Sequence, residues 1–274
     1  MGTLDKVSLH LQYLLGRLAV FLLGPFVYVC VWFFGYRVRE LKEIRKRWRV
    51  LTENHRGPWI ICANHLTNID SVIIAYALAP LLRYLTNFKL VPWNLPERAN
   101  FQKNLLSTLF CYLTKCIPVS RGGERKEMRK VLEKCIYLLK RGQYVLIFPE
   151  GGRSRTGRVN KEGFSYGVGR FISNVENCKV LCLYLRGDHQ DTYSDIPKLK
   201  ETFTVYLQEL TPEKTDLTGL REQRHYAEQI INCLAKMEEQ YFASHRQRHS
   251  RSDEHSCSGQ EQRYPISQTG LSPH

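Results

Sequence analysis

In the segment ICANHLTNID an apolar run ends on His65, and a carboxylate, Asp70, follows five residues later. A His side chain titrates near neutrality and can take a proton from a hydroxyl. A carboxylate bonded to its second ring nitrogen fixes the tautomer and stabilises the imidazolium that forms. No Ser or Cys stands between the two residues. The chemistry open to this pair is therefore deprotonation of a substrate hydroxyl. The same residues also suit a plain turn, with Asn68 or Asp70 capping the next helix and His65 packed beside it.

Two further polar clusters carry chemical potential. In CIPVSRGG, Arg121 offers two donors to a phosphate, and Gly122 and Gly123 let backbone N–H groups approach an anion. In FPEGGRSRTGR, Glu150 can accept hydrogen bonds from hydroxyls, and Arg153, Arg155 and Arg158 supply positive charge. No Gly-Lys-Ser/Thr follows at the spacing of a P-loop. Each cluster by itself reads equally well as a strand-to-helix turn or a basic surface loop.

The elements that must position these residues alternate in type. PWIICAN, FKLV, KCIPVS, QYVLIF and KVLCLYLRG read as strands, and TFTVYLQEL as an alternating one. SVIIAYALAPLL up to Pro80, NLLSTLFCYLT, RKEMRKVLEKCIYLLK with its stop at Gly142, FSYGVGRFIS and REQRHYAEQIINCLAKMEEQYF read as helices. The pattern predicts an α/β domain with a largely parallel central sheet flanked by helices. Such sheets bind ligands beyond the carboxyl ends of their strands. All three polar clusters follow strands directly, which places them on one rim.

Outside this domain, Leu18 to Tyr36 is uncharged and apolar, close to the ~20 residues that cross a bilayer. It is not read as a cleavable signal peptide. Gly24-Pro25 is expected to kink or split it, giving one kinked span or two shorter helices in one leaflet, with a buried helix of a soluble domain as the alternative. Arg37, Arg39, Lys42, Arg45, Lys46, Arg47 and Arg49 follow, a basic flank for anionic headgroups on the cytoplasmic side. The expected division is 1–50 as a membrane-inserted helical segment with its basic flank, 51–242 as the α/β domain, and 243–274 as a disordered polar tail. The 274 residues carry a net charge of +14, which points to anionic membranes, anionic substrates or nucleic acid. No nucleic-acid motif is present. The nine Cys have no zinc spacing and read as reduced thiols in a cytosol-facing protein.

In order and spacing, NHLTNID, CIPVSRG and FPEGGRS resemble the motif blocks of the glycerolipid (lysophospholipid) acyltransferases, typified by 1-acylglycerol-3-phosphate acyltransferases. The resemblance covers roughly Pro58 to Gly187. It implies a membrane-bound enzyme that moves a fatty acyl group from a thioester to the free hydroxyl of a lysophosphatidic acid-like acceptor, giving phosphatidic acid. In the H-x4-D block, His65 is then the general base and Asp70 orients it. Arg121, Gly122, Glu150, Gly151 and Arg153 would hold the glycerol phosphate end. Lys89 matches a basic position between the first two blocks. No metal or cofactor is implied; the co-substrate is an acyl thioester of coenzyme A or acyl carrier protein, and the other partners are membrane lipids. Gly152 stands where the family has Thr, and KVLCLYLRG lacks the Pro of the fourth block. Two alternatives stand beside this reading: the same reaction on another lysophospholipid or a lyso-amino-acid lipid, or a non-catalytic basic protein binding membrane or nucleic acid.

Overall fold

A computed structural model describes residues 1–101, 104–120 and 122–258. One sheet holds six strands: β1 (Arg37–Val38), β2 (Trp59–Ala63), β3 (Trp93–Asn94), β4 (Tyr144–Ile147), β5 (Lys179–Gly187) and β6 (Thr202–Leu210). The helices are α1 (Thr3–Phe33), α2 (Leu41–Asn54), α3 (Asp70–Leu78), α4 (Leu81–Thr86), α5 (Arg98–Phe101), α6 (Leu105–Leu113), α7 (Arg125–Lys140), α8 (Gly167–Asn174) and α9 (Leu220–Ser258). The spatial order is β1-β6-β5-β2-β4-β3. Every pairing is parallel except β5 with β6. The α/β class with a largely parallel sheet flanked by helices is the one that the alternating pattern predicts.

Both faces of the sheet are covered. Ile60 and Cys62 of β2 face Cys135 of α7, Phe171 of α8 and Ile230 of α9. Trp59, Ile61 and Ala63 face Trp48 of α2 and Ile73 of α3. A strand buried on both sides needs no polar alternation, which is why WIICA is a continuous apolar run. Each large side chain sealed in this way contributes roughly 1.5–3 kcal/mol.

The structure departs from the local pattern in four places. FKLV is a 3-10 turn, Phe88–Leu90, and the strand comes after it at Trp93–Asn94. KCIPVS makes only single bridges, Asn94 with Cys116 and Glu97 with Val119. Pro118 lies between them and has no N–H to continue a ladder. The last helix runs on through Ser258, so residues 243–258 of the expected disordered tail are helical. Residues 259–274 of that tail lie outside the described residues. Finally, residues 1–50 are not a separate segment. β1 pairs with β6, and Val31, Tyr36, Ile44 and Trp48 share one core with Trp59 and Ile61.

The N-terminal run forms one helix of 31 residues with Pro25 inside it, neither split nor halved. Pro25 removes one hydrogen bond. The neighbours hold the helix along its length. Gly16 lies so close to the domain that a Cβ there would meet the Leu113 carbonyl at 2.6 Å. The buried Gln12 donates to the carbonyls of Tyr112 and Cys116, both at 2.9 Å. At the start of the helix Asp5 pairs with Lys134 of α7, and just beyond its end Tyr36 donates to the Pro197 carbonyl. α1 therefore lies lengthwise on the domain. Its outer face exposes Leu11, Leu15, Leu18, Leu22, Phe26 and Phe33, spaced three, four and seven apart.

Part of the basic flank serves the protein itself. Arg39 pairs with Asp188, and Arg45 donates to the Tyr76 carbonyl at 2.8 Å while its guanidinium lies 5.1 Å from the Tyr76 ring centroid.

Candidate active site

β2 ends at Ala63, and the amide of Asn64 replaces the next strand residue. Its Oδ1 accepts from Leu185 N–H at 2.7 Å and its Nδ2 donates to the Leu185 carbonyl at 2.9 Å. The chain is thereby held to β5 at the point where it turns out of the sheet, and His65 is the first residue of that turn.

The side chain of Asp70 reaches back into the same turn. Its Oδ2 accepts from Leu66 N–H at 2.7 Å and Thr67 N–H at 2.8 Å, and it lies 2.9 Å from His65 Nδ1. The hydroxyl of Thr67 donates to Oδ1 at 2.5 Å. An oxygen that accepts two backbone N–H groups is an acceptor toward the ring as well. His65 Nδ1 therefore carries the hydrogen, and the lone pair falls on Nε2. Asp70 is the first residue of α3 and makes no cap bond to it. The helix start fixes the carboxylate, and the carboxylate fixes the His. The ring also stacks on Phe148, centroids 4.0 Å apart and planes 16° apart. His65 is 13% exposed and Asp70 3%.

The loop after β4 closes on the same turn. Gly151 takes a φ of +69°, a conformation that disfavours other residues, and donates to the Phe148 carbonyl at 3.0 Å. Glu150 is directed inward. Its Oε1 accepts from His65 N–H and its Oε2 from Asn160 N–H, both at 3.1 Å. Burial pushes its carboxyl up to about 7. Both oxygens thus brace the backbone, whereas the motif resemblance implies a contact of Glu150 with the glycerol phosphate end. Ser154 N–H donates to the His65 carbonyl at 2.9 Å. Farther along, Glu238 of α9 accepts from Val159 N–H at 3.1 Å, and Arg186 of β5 donates to the Gly157 carbonyl. Arg158 turns toward α9, over the ring of Phe242.

The remaining expected residues are placed unequally. Arg153 stands at the site, with Nη1 donating to the Ser194 carbonyl at 2.9 Å and to Asp195 Oδ1 at 2.7 Å. Gly122 is exposed at a φ of +72° in its turn. Arg121 lies outside the described residues. Lys89 is not at this rim. Its Nζ donates to the Arg56 carbonyl at 2.6 Å and lies 5.5 Å over the ring of Tyr144. Arg56 precedes β2 and Tyr144 begins β4, so Lys89 sits at the opposite end of the strands, roughly 16 Å away along five residues of β2. Burial lowers its pKa.

The structure adds residues that the motifs did not single out: Phe148 under the imidazole, Asn64 at the strand end, and Asp195 beside Arg153. Phe148 was within reach, being the first letter of its block. Nothing local marks Asp195.

A cavity of about 290 Å³ opens from this cluster. His65, Asn68 and Arg153 are among its polar residues, with Asn94 and Glu97, and Tyr28, Val20, Leu23 and Val27 of α1 with Val72 and Leu113 line its apolar length. Among the described residues no three His, Cys, Asp or Glu side chains gather in a way that would hold a metal ion. Among the described residues the arrangement supplies a base with a fixed tautomer, the guanidinium of Arg153, and an apolar slot that runs to the N-terminal helix.

A family model described as Acyltransferase matches residues 35–185, more than half of the chain. Among solved structures, the chain is similar to the crystal structure of the 1-acyl-sn-glycerophosphate (LPA) acyltransferase, PlsC, from Thermotoga maritima. The identity is 17% and the TM-score 0.42, over 87% of this chain and 98% of that one.

Proposed function

The chain belongs to the acyltransferase family, and from that premise we propose that it transfers a fatty acyl group from an acyl thioester to the free hydroxyl of a lysophosphatidic acid-like acceptor, yielding phosphatidic acid. The observation that carries this reading is the position of His65. Its Nδ1 is tied to Asp70 while the residue lines an apolar slot. Nε2 takes the proton of the acceptor hydroxyl as its oxygen bonds to the thioester carbonyl carbon. The tetrahedral intermediate collapses with loss of the carrier thiolate, which the imidazolium then protonates. Asp70 stabilises that imidazolium. The apolar slot suits an acyl chain, and Arg153 suits the phosphate end.

The donor in this reading is coenzyme A or acyl carrier protein thioester. The enzyme works at a membrane, with the exposed apolar stripe of α1 in the interface and the catalytic domain facing the cytoplasm.

The test is transfer by the full chain, purified in detergent, from acyl thioesters to a panel of lysolipids. Product is expected with the wild type, and His65→Ala is expected to lose at least about 100-fold in turnover. Equal turnover in the variant removes His65 as the base. No turnover on any acceptor overturns the reaction.

A further inference from the structure

We propose that Asp195 is a specificity-determining residue whose carboxylate offsets part of the charge of Arg153 and so limits how strongly the headgroup subsite prefers a doubly charged phosphate monoester over a singly charged phosphodiester. This rests on the acyl-transfer reading of the site. Residues 188–201 join β5 to β6 and lie across the His65 turn. Ser194 N–H donates to the Leu66 carbonyl at 3.1 Å, and Asn68 N–H donates to the Asp195 carbonyl at 3.1 Å. The Asp195 carboxylate is thereby held against the rim. Its Oδ1 accepts from Asn68 Nδ2 at 3.0 Å and from Arg153 Nη1 at 2.7 Å, and the ring of Tyr193 lies 5.3 Å from the same guanidinium.

Arg153 lines the slot with His65, so an anion that approaches the base approaches this pair. It meets a cation already matched by an anion. Among the described residues that line the slot Arg153 is the one cation, Glu97 adds a carboxylate, and Arg158 is drawn toward α9 by Glu238 and Phe242. A phosphate monoester, close to −2 at neutral pH, is repelled by Asp195 more strongly than a phosphodiester at −1, while both gain the donors of Arg153. The carboxylate is 79% exposed, so water and salt hold the difference to a modest factor.

The substitution that isolates the charge is Asp195→Asn. Its carbonyl oxygen can still accept from Arg153 and Asn68, and the backbone bonds of the loop are retained. The measurement is the ratio of kcat/KM for a lysophosphatidic acid to that for a lysophosphatidylglycerol of the same chain length. A ratio is insensitive to the fraction of folded enzyme. It is expected to rise about 3- to 10-fold in the variant, through KM, and to fall back toward the wild-type ratio at high salt. An unchanged ratio, or equal losses on both acceptors, overturns the proposal and leaves the acyl-transfer reading intact. Calorimetric binding of glycerol 3-phosphate against glycerophosphoglycerol reads the same subsite without turnover. A gain for the dianion in Asp195→Asn supports the proposal even if no acyl transfer is found, and no gain overturns it.

Discussion

The two ends of the sheet handle charge in opposite ways. At the carboxyl ends of β2 and β4, carboxylates are held by backbone N–H groups: Asp70 by Leu66 and Thr67, Glu150 by His65 and Asn160. At the amino ends, lysines are held by backbone carbonyls and rings. Lys89 rests on Arg56 and Tyr144, and Lys115, fully buried, donates to Phe88 and Val91 among the rings of Tyr13, Phe88 and Trp93. Burial lowers the pKa of Lys115. The N–H groups belong to the turns that follow β2 and β4 and the carbonyls to the loops that precede β2 and β3, so each side chain completes backbone groups that no strand pairing satisfies. What separates them is what remains. At the lysine end the two ammonium groups are engaged with the fold. At the carboxylate end, the two carboxyl groups hold the frame and leave an imidazole and a guanidinium at the mouth of a slot.

Breaking the carboxylate end gives the largest expected effect. Asp70→Asn removes the acceptor that fixes the tautomer of His65, and kcat is expected to fall about 10²- to 10⁴-fold with KM little changed. Steady-state kinetics on the acceptor from the transfer assay decide it. A loss under threefold would mean that Asp70 only holds the turn.

A smaller effect separates the roles of the two carboxylates. Glu150 titrates at about 7 when folded and near 4.3 when unfolded. Between those values the folded protein holds a proton that the unfolded chain has lost. The stabilisation is complete below about 4.3 and is lost as pH rises through 7. Stability is therefore expected to decline by at most about 3 kcal/mol from pH 4.5 to 7.5. Glu150→Gln should flatten that decline in thermal unfolding scans. Identical slopes for variant and wild type would show that another group sets the pH dependence.

The smallest effect belongs to the other end. Lys89→Ala is expected to leave acceptor KM and kcat within about twofold, as for a side chain far from the chemistry. A KM rise beyond tenfold for the phosphate-bearing acceptor would return Lys89 to the headgroup and erase the contrast between the two ends.

The pairing of His65 with Asp70 was readable because both partners lie in one turn and the strand before it is a plain apolar run. The clusters after β2 and β4 could be placed on one rim for the same local reason. Asp195 was not readable. It lies 127 residues from Asn68 and 42 from Arg153, and only the β5–β6 connection brings it to them. Lys89 failed in the opposite sense. Its position in the chain fitted a motif, but the 3-10 turn at Phe88–Leu90 points it at the amino ends of the strands.

By itself the sequence determined the two-sided burial of the central strands, the turns that end them, the His-carboxylate pair and the acyltransferase motif order. These depend on neighbours within a few residues, where periodicity and turn chemistry act. The tertiary structure alone decided that α1 is one helix lying flat on the domain, that Glu150 braces the backbone, and that Arg153 meets a carboxylate. Those outcomes depend on strand order and close packing, which bring together residues that no local pattern connects.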